Sequence, residues 1–175
     1  IGLRLPCNTM HIIDSHCHLN FEGLKERLPE VLSNMEENRV RQALAISVSR
    51  QSFAEVSAIA EVYEHIYCTI GVHPDSKEAE EFSIAEMVAA AASPKVVGIG
   101  ETGLDYYWCK GDLSWQHKRF ADHIEAANQT GLPVIVHTRD AAADTLSILK
   151  ECRVNSGVIH CFSEDIGFAR AAMDL

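Results

Sequence analysis

Nothing in this chain marks a membrane span, a disulfide framework or a nucleotide-phosphate loop. No apolar run approaches the roughly 18 residues that cross a bilayer, so no membrane partner is expected. The six cysteines, at positions 7, 17, 68, 109, 152 and 161, are scattered and form no CxxC pair. In a chain of 175 residues that scatter favours reduced thiols in a cytoplasmic protein over disulfide staples. No strand-like run is followed by GxGxxG or a Walker loop, which leaves dinucleotide and P-loop readings without support. Positive charge is scarce: 15 Lys and Arg stand against 25 Asp and Glu, for a net charge of −10. Wrapping a duplex non-specifically needs a basic surface, so a broad phosphate-binding face is not expected. A few phosphates could still be held through a bound cation, whose own charge dominates locally. Internal repeats, low-complexity stretches and linkers are also missing.

What is present is a globular composition, 47% apolar and 23% charged, in a strict alternation of two patterns. Short runs rich in β-branched residues occur near 11–16, 43–48, 66–70, 95–100, 133–137 and 157–161. Their nearly continuous apolar character suits strands buried on both faces. Helical patterns lie between them. Leu28, Val31, Leu32 and Met35 make one stripe, with Pro29 in the first turn. Phe53, Val56, Ile59, Ala60 and Tyr63 make a second. Ser83-Ile-Ala-Glu86 reads as a capping box, residues 114–130 as a long helix stopped by Gly131 and Pro133, and Asp140 and Ser163 as further N-caps.

Strand–helix alternation predicts a parallel sheet with crossover helices. Six βα units are visible, whereas a closed (β/α)8 TIM barrel has eight in about 250 residues. The expected fold is therefore an α/β partial TIM barrel two units short, spanning residues 10–175, with residues 1–9 as an N-terminal extension ahead of Met10.

Candidate metal ligands tip these runs at one common end, the rim where barrel active sites form. His16 and His18 close the first run. Alternation turns both to one side and Cys17 to the other, so two imidazoles can share one ion. Glu101 follows Gly98-Ile-Gly100, where glycines permit close approach, and a carboxylate there can bridge two cations. His137 and His160 close the fifth and sixth runs; taken singly, each could equally be a satisfied core histidine. His73 lies beyond the third strand as a candidate for binding substrate or for supporting the metal ligands. Arg139 could clamp a phosphate in bidentate fashion or pair with Asp140 or Asp144. Asp105 could orient a ligand or water, or cap a turn. His11 and His65 fall at the opposite strand ends and His117 and His123 on the long helix, where structural roles are expected.

Five stretches together carry a resemblance: Ile13-Asp-Ser-His-Cys-His-Leu19, Gly71-Val-His-Pro74, Gly98-Ile-Gly-Glu-Thr-Gly-Leu-Asp-Tyr106, Leu132-Pro-Val-Ile-Val-His-Thr-Arg-Asp-Ala141 and His160-Cys-Phe-Ser163. In this order and spacing the chain resembles the TatD family of metal-dependent deoxyribonucleases. The resemblance implies a TIM barrel with two divalent metal ions (Mg, Mn or Zn) and hydrolysis of nucleic-acid phosphodiesters, with DNA, or alternatively RNA, as the substrate, by trimming of strand ends. It assigns the metal role to His16, His18, Glu101, His137 and His160, with Glu101 also catalytic. It further implies a metal-binding aspartate in a later segment that these residues do not include; Asp165, outside every matching stretch, is no substitute. The alternatives are a small-molecule amidohydrolase or lactonase on the same scaffold, and an inactive truncated fragment. A carboxylated lysine often bridges the metals in such amidohydrolases, but the only lysine of the fourth run, Lys95, is at its far end.

Overall fold

The computed structural model describes residues 11–175; the expected N-terminal extension, residues 1–9, lies outside the described residues. Helices and strands alternate from the start. β1 (Ile12–Cys17) leads through a short 3-10 turn to α1 (Leu28–Glu37), then β2 (Val40–Ala45), α2 (Arg50–Val62), β3 (Ile66–Ile70) and α3 (Ile84–Ala90). β4 (Val96–Asp105), α4 (Ser114–Thr130), β5 (Val134–Arg139), α5 (Ala142–Glu151), β6 (Gly157–Ile159) and α6 (Ile166–Met173) complete the order. The strands form one sheet in the order β1-β2-β3-β4-β5-β6, and every neighbouring pair is parallel. All strand C-termini therefore face one end.

The apolar runs become the central strands. Ile66, Ile70, Ile99, Leu104 and Val134 are buried from solvent, against Val56 and Ala60 of α2 and Phe120 and Ile124 of α4. Each large aliphatic side chain so buried contributes roughly 1.5–3 kcal/mol. The two outer strands are different: Ile13 of β1 is 63% exposed and Val158 of β6 51% exposed. An apolar cavity of about 330 Å³ opens beside β6, lined by Val134, Leu149, Phe162, Ala172 and Met173 among others.

Helix boundaries follow local chemistry where that chemistry is self-contained. Pro29 sits in the first turn of α1, where its missing N–H costs nothing. Gly131 ends α4 with φ of 71°, a left-handed cap natural to glycine. The capping box of α3 forms in full: Ser83 Oγ accepts from Glu86 N at 3.3 Å, and the Glu86 carboxylate accepts from Ser83 N at 2.8 Å. Ser83→Ala is expected to lower stability by about 1 kcal/mol, read as a lower urea midpoint with unchanged slope. An unchanged midpoint would show that packing alone fixes this helix start.

Two expected caps are corrected. Asp140 does not cap α5: its φ is +54°, a turn conformation aspartate tolerates, and the N-cap is Ala141 without a side-chain bond. Ser163 does not cap α6; Asp165 does, accepting from Phe168 N at 2.8 Å. Two strand limits also move. β2 starts at Val40 because Val40 and Gln42 pair with Ile12 and Ile13, although the apolar run begins only at Ala43. β4 continues to Asp105, pairing Gly103, Leu104 and Asp105 with His137, Thr138 and Arg139.

Candidate metal centre

At the C-terminal end of the sheet, one carboxylate gathers the histidines. Glu101 is 2% exposed and lies inside β4, not at its end, a correction to the strand-tip reading. The register with β5 shifts between Ile99 and Thr102, and this irregularity turns Glu101 into the cavity. Its N–H donates to Ser47 O at 2.9 Å. The neighbouring glycines allow the bend. Gly100 has φ of +139°, and a Cβ there would approach Ile135 O to 2.6 Å; a Cβ on Gly103 would collide with the His137 carbonyl.

Four imidazoles face the Glu101 carboxylate. Oε2 lies 3.2 Å from His16 Nε2, while Oε1 lies 3.3 Å from His73 Nε2, 3.3 Å from His137 Nδ1 and 2.5 Å from His160 Nε2. The His16 and His160 rings stack at 4.0 Å. His18 stands edge-on to His16 at 5.2 Å and stacks on Phe21. Two triplets have ligand atoms within 4.8 Å of one another, His16–His18–Glu101 and His73–Glu101–His137, and Glu101 belongs to both. His160 joins through Glu101 rather than within either triplet. The cavity they share is about 500 Å³, with Phe21, Val48, Asp75 and Ser76 completing its wall.

The donor set fits divalent cations. His16 Nδ1 and His18 Nδ1 are buried without a hydrogen-bond partner, an arrangement that costs free energy unless something accepts those lone pairs. Burial opposes ionisation of Glu101, but hydrogen bonds with His137, His16, His160 and His73 outweigh it and hold the carboxyl far below its usual range. Burial, more than the opposing pull of Glu101, lowers the His18 pKa, which favours the neutral, metal-binding imidazole. For His73 burial also works against the charged ring, yet Glu101 and Asp75 prevail and raise it.

Carboxylates behind the ring fix its orientation. Asp105 Oδ2 lies 2.9 Å from His137 Nε2, and its Oδ1 accepts from Tyr107 N at 2.9 Å and Trp108 N at 2.7 Å. Asp105 thus both orients a ring and caps a turn, the two roles open to it from sequence. Asp75 Oδ1 lies 2.6 Å from His73 Nδ1. Such carboxylate–histidine pairs set tautomer and basicity at metal sites. Asp75 was not singled out in the sequence, although its spacing from His73 was a usable signal.

The loop carrying His73 is held by the buried face of α4. Arg119 Nη1 donates to His73 O at 2.7 Å, Gln116 Nε2 to Pro74 O at 2.8 Å, and Val72 N to His123 Nε2 at 3.1 Å. Arg119 is anchored in turn by Glu81. His123 is therefore structural, as expected on that helix, and His117 contacts Tyr106 Oη at 2.6 Å.

Other sequence candidates separate cleanly. Arg139 pairs with neither Asp140 nor Asp144; its guanidinium lies 4.2 Å from the Tyr107 ring centre. Cys17 turns away from the cavity and packs against the core, its thiol pushed up to about 12 by burial and then by Asp14. Lys95 donates to the carbonyls of Tyr63, Glu64 and Ile66, at the sheet end opposite Glu101. That placement gives the lysine-bridged amidohydrolase alternative no support.

Residues 13–175 match the family described as TatD related DNase. The uncharacterized metal-dependent hydrolase YcfH of Escherichia coli K12 is 36% identical over 171 residues, covering 95% of this chain and 64% of its own. The uncharacterized metal-dependent hydrolase YabD of Bacillus subtilis is 35% identical over 167 residues, covering 94% and 66%. The crystal structure of YJJV, a TatD homolog from Escherichia coli K12, superposes with a TM-score of 0.85 at 28% identity, covering 93% of this chain and 64% of that one. This chain thus spans about 64% of the length of relatives such as YcfH. Its six βα units are a partial TIM barrel. Among the described residues, no helix is long and apolar enough to cross a membrane.

Proposed function

The chain belongs to the TatD related DNase family of metal-dependent hydrolases, and from that premise we propose that its site hydrolyses nucleic-acid phosphodiesters, trimming the ends of DNA. The observation that carries this reading is one buried carboxylate, Glu101, common to two ligand triplets. His16, His18 and Glu101 would hold one divalent ion, Mg, Mn or Zn, and Glu101 with His137 and His73 a second, beside His160. Bound there, the pair would supply Lewis-acid polarisation of a phosphoryl oxygen and an acidified water.

The chain's own residues do the rest. Glu101 keeps a negative charge at the point where four imidazoles converge. Asp105 and Asp75 lock the His137 and His73 rings, so that ring reorientation is not needed during turnover. In this reading His73 would serve among the ligands rather than in the substrate-binding or supporting role expected of it, because its ring lies against both Glu101 and Asp75. An acidic protein can work on a polyanion in this way because the substrate meets the cations before the surface.

A substrate panel tests the reading. With manganese or magnesium, the protein should shorten a labelled single strand of DNA, stop on addition of a chelator, and turn over lactones and simple amides far more slowly. Lactone or amide hydrolysis exceeding cleavage of DNA would overturn it.

A further inference from the structure

The two carboxylates that orient imidazoles of the site converge on one buried side chain. Asp105 contacts His137 and Asp75 contacts His73, and both rings belong to the triplet that includes Glu101. Asp105 ends β4, while Asp75 lies in the loop after β3. Gln116, in the first turn of α4, stands between these segments and is wholly buried. Its Oε1 accepts from Asp105 N at 3.1 Å. Its Nε2 donates to Pro74 O at 2.8 Å and to Asp105 O at 3.3 Å. Pro74 immediately precedes Asp75.

The chemistry of the amide suits this place. Asp105 N can only donate and Pro74 O can only accept, so the partners themselves fix which end of the amide faces which segment. The donor and the acceptor are both satisfied, as burial demands. Filling space would not need an amide: Phe120 and Ile124 do that on the same buried face of α4, and a buried polar group costs free energy unless it is bonded. Arg119 and His123, further along the helix, bond to the loop after β3 but not to β4. Among the described residues, Gln116 alone on this helix hydrogen-bonds both segments, and none of its side-chain bonds goes to His16 or His18.

We propose that Gln116 is a positioning residue for one of the two ions. By tying the loop of Asp75 to Asp105, it holds His73 and His137 at one spacing and so sets the affinity of the His73–Glu101–His137 triplet, while the His16–His18–Glu101 triplet does not depend on it. The inference rests on the two-ion arrangement of the phosphodiesterase reading and adds an asymmetry to it: the two ions are held by separately supported sets of ligands.

Calorimetric titration with manganese tests this without reference to cleavage. The wild type should take up two equivalents. Gln116→Met keeps the length of the side chain and removes its three hydrogen bonds. It should weaken one equivalent about ten-fold, the lower end of the range for losing a group that orients a metal ligand, and leave the other unchanged. Ile124→Val is the control for packing alone: it should lower the melting temperature and move neither affinity. Gln116→Asn keeps the amide but is one methylene too short to reach both segments. It should weaken the same equivalent, and it replaces Gln116→Met if thermal melting shows that variant unfolded. Equal weakening of both equivalents, or no weakening, in a folded variant overturns the positioning role. A single equivalent in the wild type overturns that role and the two-ion site together. Selective weakening in a protein that cleaves no DNA upholds the positioning role and sinks the phosphodiesterase reading instead.

Discussion

Glu101→Gln is expected to lower the affinity for divalent metal by more than about a hundred-fold, and to remove hydrolysis with it. Loss of a residue that merely orients a metal ligand costs about ten- to a hundred-fold; Glu101 is common to both triplets, so its loss damages two sites at once. Glutamine keeps the size and one carbonyl oxygen but removes the charge. His16, His73, His137 and His160, all within 3.3 Å of the carboxylate, would then face a neutral amide. Calorimetric titration with manganese measures the affinity directly. Asp105→Asn is the graded comparison, because His137 is the one candidate ligand it contacts, and it should fall within the ten- to hundred-fold range. Near-wild-type manganese affinity in Glu101→Gln would remove the bridging role.

The sequence made the candidate ligands legible through short-range rules and left their arrangement to long-range ones. The two-residue spacing of His16 and His18 was enough to put both on one side, and Cys17 does pack away from them. His137 and His160 were visible because apolar strands rarely close on imidazole at the same end. The setting of Glu101 was not visible. It lies within β4, not beyond it, because the strand slips register against β5, and that slip depends on residues some thirty positions away. Asp75 was within reach, two residues from His73, but its spacing alone did not show that the loop, tied to Arg119 and Gln116, turns its carboxylate onto that ring. The two misplaced caps show the same limit. Asp140 and Ser163 each had a suitable side chain, but the turn conformation after β5 and β6 moved the helix start onward, to Ala141 and Asp165.

The buried face of α4 supplies a second large effect, this time on stability. His123 is wholly buried; its Nε2 accepts from Val72 N at 3.1 Å, and Nδ1 lies 2.8 Å from Arg119 O. That pairing requires the neutral ring with the proton on Nδ1, because a proton on Nε2 would point at another N–H. Burial accordingly lowers the His123 pKa from 6.5 to about 4. The sign follows from linkage. Above pH 6.5 the ring is neutral in both folded and unfolded chains, and its contribution is fully present. As pH falls from 6.5 towards 4, the unfolded chain takes up a proton that the folded chain refuses, so stability drops; below about 4 the loss levels off. The span corresponds to a loss on the order of 3 kcal/mol. Other groups titrate in the same range, including His73 with the opposite sign, so the useful quantity is a difference. Urea unfolding of wild type and His123→Gln, in chelator across pH 4 to 8, should show the wild-type advantage shrinking by that amount towards acid. An advantage that stays constant with pH would mean that the ring is held by packing alone, and that Val72, next to His73, does not depend on a neutral imidazole for its position.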